Sequence, residues 1–115
     1  MLRGEIRLVD FGPVVGSAAA HRRPAVIVSN DGANTSAARL GRGVVTVVPV
    51  TSNVARVYPF QILLDAVDTG LGRASKAQAE QVRAVAVERV GAPIGVVPFD
   101  LMTQLDDALR LHLAL

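Results

Sequence analysis

The chain has 115 residues and a mass of 12.0 kDa, a size that favours a single domain spanning residues 1–115. Half of the residues are hydrophobic and Cys is absent, which excludes disulfides, thiolate metal sites and cysteine nucleophiles. No apolar stretch approaches the roughly 18 residues of a membrane span, and the N-terminus lacks a signal peptide's apolar core. A cytoplasmic location without a membrane partner is therefore expected.

Charge is unevenly distributed along the chain. The formal net charge is +2, but residues 1–58 carry seven Arg against three acidic residues, whereas residues 59–115 carry five basic and seven acidic groups. A basic first half is compatible with a polyanionic partner, although a solvated mixed surface would look similar. Aromatic residues make up only 3% of the chain, which weakens any hypothesis of bases stacked on an aromatic platform.

The first half of the chain reads as short strands separated by turn signals. In chain order we predict a strand at 4–9, a loop at 10–23, a strand at 24–29, a short helix within 35–40 and a Val-rich strand at 43–50. Pro49 lies within the last of these strands, and because proline cannot donate to a ladder, it indicates an edge position or a strand end.

The second half adds a strand, an ambiguous segment and a clear helix. Residues 58–64 alternate and are predicted to pair with the preceding strand, and residues 65–73 form a loop. Residues 76–88 fit either a helix or two short strands. The helix begins near Pro98, placed at the first helical position, and its apolar face includes His112 as a packed or half-buried residue. The fold class is therefore mainly β with helices: a small barrel or sheet closed by a C-terminal α-helix.

No motif with a self-contained mechanism is present: the chain has no phosphate-binding glycine loop, zinc spacing or nucleophile elbow. What remains are polar groups where predicted strands begin or end, the usual position of sites on small scaffolds. These groups are His21, Arg22 and Arg23; Thr51, Ser52 and Asn53; and Glu80, Gln81 and Arg83. Arginines with nearby hydroxyls can bind a phosphodiester, but on these residues alone a solvated Arg pair and a Thr-Ser-Asn turn that closes a hairpin are the better interpretation.

Seven blocks follow one another along the chain: Arg3–Ile6, Gly16–Ser17, Arg23–Ser29 (RPAVIVS), Val47–Thr51 (VVPVT), Tyr58–Phe60, Glu80–Arg83 and the closing helix around Leu105–Leu109. In this order and spacing they resemble the MazF/PemK (Kid-like) family of toxin endoribonucleases, and the actinobacterial MazF type most of all. The resemblance covers essentially the whole chain, which would then be one MazF/PemK-like toxin domain.

This resemblance implies an SH3-like small antiparallel β-barrel with a C-terminal α-helix, acting as a homodimer. It implies a toxin of a type II toxin–antitoxin system that cleaves single-stranded RNA (mRNA, tRNA or rRNA) within short sequence motifs. Cleavage would need no metal or other cofactor, would leave 2′,3′-cyclic phosphate and 5′-hydroxyl ends, and would inhibit translation and growth. The implied protein partner is a MazE-like antitoxin.

The resemblance also implies roles for individual residues. Arg23 matches the family's catalytic arginine and Thr51 its catalytic threonine, while Ser17 matches a loop serine near the scissile phosphate. Glu80 matches a position where one member has an acidic residue proposed to act in catalysis. The remaining RNA-binding candidates are Arg22, Ser52, Asn53, Gln81 and Arg83. The chain departs from the family at Ala18–Ala20, where most relatives carry an acidic residue.

RNA carries its own nucleophile, the 2′-hydroxyl, so the protein has only to move protons and stabilise charge. Arg23 can hold the phosphate bidentately, and Thr51 can position it through its hydroxyl. An arginine is a poor base at neutral pH, so Glu80 and His21 are the candidates for the general base. The sequence does not choose between them.

Two other functions fit the same fold. The first is a CcdB-like gyrase poison, which cleaves nothing, and the second is a non-catalytic RNA-binding barrel. Arg23 and Thr51, together with the Tyr58–Phe60 block, favour the nuclease because a gyrase poison needs no phosphate grip.

Overall fold

A computed structural model describes residues 1–13 and 20–115, with only the backbone described at 13, 20 and 21. The described chain forms seven strands and three helices. The strands are β1 (Glu5–Pro13), β2 (Ala20–Ile27), β3 (Val44–Thr51), β4 (Gln61–Leu64), β5 (Ser75–Gln78), β6 (Arg83–Ala86) and β7 (Val90–Val96). The helices are α1 (Asp31–Leu40), α2 (Ala66–Thr69) and α3 (Phe99–Leu113), with 3₁₀ turns at Ala79–Gln81 and Val87–Arg89.

The strands form one antiparallel sheet in the order β4-β5-β3-β2-β1-β7, and β6 also pairs with β3. The predicted class, mainly β with a C-terminal helix, is confirmed. Apolar side chains fill both faces of the sheet, because alternate residues of a strand point to opposite sides. One core lies beneath α3 and includes Val26, Val50, Ile62, Ala77 and Leu105. The other includes Val9, Ala25, Ile27, Val47 and Ala37 of α1.

The β3 strand is the centre of the sheet, which corrects the expectation for Pro49. Pro49 is buried and pairs with Ala25 of β2, so it does not lie at an edge. On the other side of β3, β6 pairs with residues 44–47 and β5 with residues 50–51. Pro49 lies between the segments of β3 that pair with β6 and with β5. On that side it has no partner residue among those described, so the N–H that proline lacks is not needed for a ladder hydrogen bond.

Several predicted elements are also corrected. β1 continues to Pro13 and β2 begins at Ala20, so both strands reach well into the predicted loop at 10–23. They do so because they pair with each other there. β4 starts at Gln61 and pairs with β5 instead of the preceding strand. The segment 76–88 resolves into strands and a 3₁₀ turn.

At the C-terminal helix, Pro98 is the N-cap residue and not the first helical residue. His112 is exposed, since the last turn of α3 extends past the core that buries Met102, Leu105 and Ala108. In the described residues, no helix is long and apolar enough to cross a lipid bilayer.

Candidate functional site

The strand alternation places a row of polar side chains on one face of the sheet. Val50, Ile62 and Ala77 point into the core beneath α3. Their strand neighbours therefore point to the opposite face, where they form a polar cluster. The members of this cluster are Thr51, Gln61, Lys76 and Gln78, together with Arg23 of β2, which donates a hydrogen bond to Gln78.

Arg23 is fixed by two acceptors from neighbouring strands. Its Nη2 group donates to Oε1 of Gln78 at 2.7 Å and to the carbonyl oxygen of Val50 at 3.4 Å. Ala25 pairs with Pro49, and continuing that register by two residues brings Arg23 level with Thr51. The two residues that the sequence nominates as catalytic are therefore adjacent in the sheet.

The guanidinium of Arg23 is half-buried, and this burial lowers the pKa of Arg23 below its ordinary value. No described residue accepts a hydrogen bond from Nε or Nη1 of Arg23. A charge that has lost water and holds further N–H donors is suited to a phosphate, which accepts two parallel hydrogen bonds.

Thr51 ends β3 and begins a tight turn. Its Oγ1 accepts a hydrogen bond from the backbone N–H of Asn53 at 3.2 Å, and Asn53 Oδ1 accepts from the N–H of Ala55 at 3.2 Å. A hydroxyl that accepts in this way keeps its own proton for donation. Thr51 can therefore donate to a phosphate oxygen while the turn holds its rotamer. Ser52 and Asn53 are exposed beside it.

Glu80 is connected to the cluster through Gln61. Gln61 and Gln78 are directly opposite each other in the β4–β5 pair, and Nε2 of Gln61 donates to Oε2 of Glu80 at 2.6 Å. The second carboxylate oxygen, Oε1, is buried and has no hydrogen-bond partner among the described residues. A buried oxygen of this kind is costly unless it receives a hydrogen bond.

Lys76 is a second cation next to Thr51 in the sheet. It is opposite Thr51 in the β3–β5 pair, only 8% exposed, and its Nζ donates to the carbonyl oxygen of Arg56 at 2.6 Å. Lys76, Gln61 and Gln78 did not stand out as candidate site residues in the sequence. A polar residue inside a short apolar alternation was the available signal, because a buried amide or ammonium needs a partner.

The other RNA-binding candidates lie around the cluster or outside it. Arg22 is exposed, pairs with Asp10 in the β1–β2 ladder and lines a cavity of about 360 Å³ with Arg89. Gln81 is exposed at the end of its 3₁₀ turn. Arg83 lies on β6 opposite Val47, with its guanidinium 5.1 Å from the centre of the Phe11 ring.

Two candidates cannot be located. Ser17 lies outside the described residues, as do Ala18 and Ala19. His21 belongs to β2, but the position of its side chain is not described. Within the described residues, no three His, Cys, Asp or Glu side chains cluster as metal ligands would.

A family model and a curated relative both match the whole or nearly the whole chain. Residues 2–113 match the family model described as PemK-like, MazF-like toxin of type II toxin–antitoxin system. The chain is 62% identical over 115 residues to endoribonuclease MazF9 of Mycobacterium tuberculosis, covering 100% of this chain and 98% of the relative.

Solved structures show the same fold. An endoribonuclease in complex with its cognate antitoxin, from a mycobacterial species, matches with a TM-score of 0.77 at 23% identity, covering 100% of this chain and 96% of that one. A MazE-MazF crystal structure from Deinococcus radiodurans matches with a TM-score of 0.77 at 26% identity, covering 100% and 97%.

Proposed function

The chain belongs to the family of PemK-like, MazF-like toxins of type II toxin–antitoxin systems, and from that premise we propose that it is a sequence-specific endoribonuclease. The substrate is single-stranded RNA, the reaction needs no metal, and the products carry a 2′,3′-cyclic phosphate and a 5′-hydroxyl. Cleavage of cellular RNA then inhibits translation and growth.

The observation that carries this proposal is the geometry of Arg23. Its Nη2 group is held by Gln78 and by the carbonyl of Val50, the residue that precedes Thr51 on β3. A guanidinium held in this way is aimed before the substrate arrives, which is what stabilisation of a transition state requires. Arg23 is half-buried and has no carboxylate partner among the described residues. Such a charge destabilises the folded protein unless an anion binds it.

The chemistry follows from the ribose. The 2′-oxygen attacks the adjacent phosphorus and loses its proton, and the bond from phosphorus to the 5′-oxygen breaks as that oxygen gains a proton. Arg23 stabilises the extra negative charge on the phosphorane and is the candidate proton donor to the leaving oxygen. Thr51 donates a hydrogen bond that orients the phosphate.

Glu80 is our candidate for the general base. Its buried Oε1 atom has no partner among the described residues, and Gln61 fixes the other carboxylate oxygen. Because Oε1 is buried, it accepts the 2′ proton only if RNA binding brings it into contact with the ribose. His21 is the alternative base, on sequence grounds alone.

Two protein partners belong to the proposal. The relatives solved with an antitoxin support a MazE-like antitoxin for this chain. Exposed apolar residues at the end of α3 and on β7, including Leu111, Leu113, Leu115, Ile94 and Val96, support a homodimer.

One assay tests this function. Purified protein is incubated with end-labelled RNA in excess EDTA, and the product ends are identified. Cleavage to 2′,3′-cyclic and 5′-hydroxyl ends is expected. Intact RNA with a gel shift would indicate the non-catalytic RNA-binding barrel, and intact RNA with inhibited DNA gyrase would indicate the gyrase poison.

A further inference from the structure

The segment between Thr51 and β4 presents an ordered aromatic pair. The rings of Tyr58 and Phe60 are stacked, with their centroids 5.4 Å apart and their planes within 5°. Phe60 is half-buried, whereas Tyr58 remains 41% exposed. Two of the chain's four aromatic residues are thus concentrated in one small surface, which the low aromatic content did not lead us to expect.

Three hydrogen bonds hold this surface. The backbone N–H of Tyr58 donates to Oε1 of Gln61 at 3.1 Å, and Arg56 Nη1 donates to the Tyr58 hydroxyl at 3.1 Å. Lys76 Nζ donates to the Arg56 carbonyl oxygen at 2.6 Å. A ring fixed in this way loses little conformational entropy when a ligand binds.

The surface is positively charged. The guanidinium of Arg56 lies 5.8 Å from the centre of the Tyr58 ring, and the ammonium of Lys76 lies 6.0 Å from it. Residues 52–60 contain no acidic residue. A flat exposed ring flanked by cations is what single-stranded nucleic acid binders offer to a base and its phosphate.

The Tyr58 ring lies close to Thr51 of the candidate site. Lys76 is the register partner of Thr51, and the same Lys76 contacts both the Tyr58 ring and the Arg56 carbonyl. One side chain therefore separates the ring from the threonine that orients the phosphate. A nucleotide adjacent to the scissile one can reach the ring.

We propose that the exposed ring of Tyr58 is a stacking site for one unpaired nucleobase next to the scissile phosphate, with Arg56 and Lys76 supplying positive charge. This site rests on the proposed function, and it adds a base-binding position to it. Stacking tolerates any base, so the site contributes affinity and register along the strand more than base identity.

The test uses a short RNA that spans a cut site mapped on a long transcript, with 2′-deoxyribose at the scissile nucleotide so that it binds without being cut. Its affinity is measured for the wild-type protein and for Tyr58→Leu, Tyr58→Phe and Phe99→Leu. Phe99 is the matched control, because it is an exposed aromatic residue on α3, outside the 52–60 segment. Each protein is also tested with RNAs in which one flanking base at a time is removed to leave an abasic site.

Tyr58→Leu is expected to weaken binding about tenfold, and Tyr58→Phe and Phe99→Leu to change it little. At one flanking position, removal of the base should weaken binding to the wild type but not to Tyr58→Leu. This coupling between one ring and one base would not arise from a structural role, and melting temperatures check that the variants fold.

Parental affinity for Tyr58→Leu, or equal losses at every abasic position, would overturn the stacking site while leaving the nuclease intact. If Tyr58→Leu weakened binding of the antitoxin and not of RNA, the ring would be an antitoxin contact instead. If the wild type cut no RNA at all, the proposed function would fail and the stacking site with it.

Discussion

Arg23 is the residue on which the proposed chemistry depends, because both Nη2 hydrogen bonds fix the direction of its remaining donors. Arg23→Lys keeps the charge and loses the planar fork. We expect cleavage to fall on the order of 10²-fold or more, by analogy with the loss of one oxyanion donor. Binding of an uncleavable 2′-deoxy RNA should fall much less.

Arg22 is the matched control for this substitution. It is the next residue along β2, but it is exposed and points away from the cluster. Arg22→Lys should mainly weaken binding. Parental cleavage by Arg23→Lys together with a large loss in Arg22→Lys would mean that the wrong arginine is assigned.

Substitutions of similar shape distinguish Glu80 from His21 as the general base. Glu80→Gln keeps an oxygen that can accept the hydrogen bond from Gln61, and it removes the proton acceptor. If Glu80 is the base, kcat falls on the order of 10²-fold with a small change in KM, while His21→Asn remains active. The reverse pattern, measured by single-turnover cleavage, would assign the base to His21.

The ionised carboxylate of Glu5 stabilises the fold, and this stabilisation is lost in acid. Burial alone would raise the pKa of Glu5, but the hydrogen bond from the Leu2 N–H and the bond and charge of Arg7 together bring it below the ordinary 4.5. A depressed carboxylate pKa contributes stability above pH 4.5 that is lost as pH falls through the folded-state pKa.

Glu5→Gln should therefore melt below the parent at neutral pH, and the difference should shrink as the pH falls below 4.5. Thermal melting across that range measures it. A difference in melting temperature that stays constant with pH would show that the carboxylate's charge contributes nothing.

At the scale of elements, the β7 strand was missed because Gly91, Pro93 and Gly95 interrupt it like a loop. The two glycines have a packing reason, because a Cβ at either position would lie within 3.0 Å of a backbone oxygen. A Cβ built on Gly95 would lie 2.1 Å from the backbone oxygen of Thr69, so only glycine lets α2 approach β7. Close approach between two backbones is invisible to propensity.

Gly95→Ala is expected to destabilise the fold by about 1–3 kcal/mol, since a backbone carbonyl cannot move aside like a flexible side chain. Urea unfolding measures the change in the free energy of unfolding. Unchanged stability would mean that α2 is not packed against β7 as described.

The candidate site illustrates the same limit of sequence reasoning. Arg23 and Thr51 were nominated by the family resemblance, and local pattern offered only polar residues at strand ends. Gln61 and Gln78 were invisible because they act through pairing between β4 and β5, which are separated by α2 and a turn. Alternation predicted that strands would form; it could not predict which strands would be neighbours.

At the scale of the whole molecule, the basic first half predicts salt-sensitive RNA binding. For single strands the logarithm of affinity should fall with that of salt by about 0.7 per phosphate contacted. Arg56→Gln should reduce this slope by about that amount if Arg56 contacts a phosphate. If the affinity of the wild-type protein for RNA did not change with salt, the basic residues of the first half would not contact phosphates. The arginines concerned are Arg22, Arg23, Arg39 and Arg56.

The proposed homodimer also concerns the whole molecule. Light scattering should give a particle of about twice 12.0 kDa, because the exposed apolar residues of α3 and β7 need a partner surface. A 12.0 kDa particle at micromolar concentration would count against it.

In the proposed reaction the RNA supplies its own nucleophile while Arg23 and Thr51 hold the phosphate. The most direct measurement replaces the scissile ribose with 2′-deoxyribose in an RNA that the wild-type protein cuts in EDTA. We predict that cleavage at that bond stops while binding of the RNA stays within a few-fold of the parent. Continued cleavage at the same bond would mean that water or a protein side chain attacks the phosphorus, and the proposed reaction would be wrong.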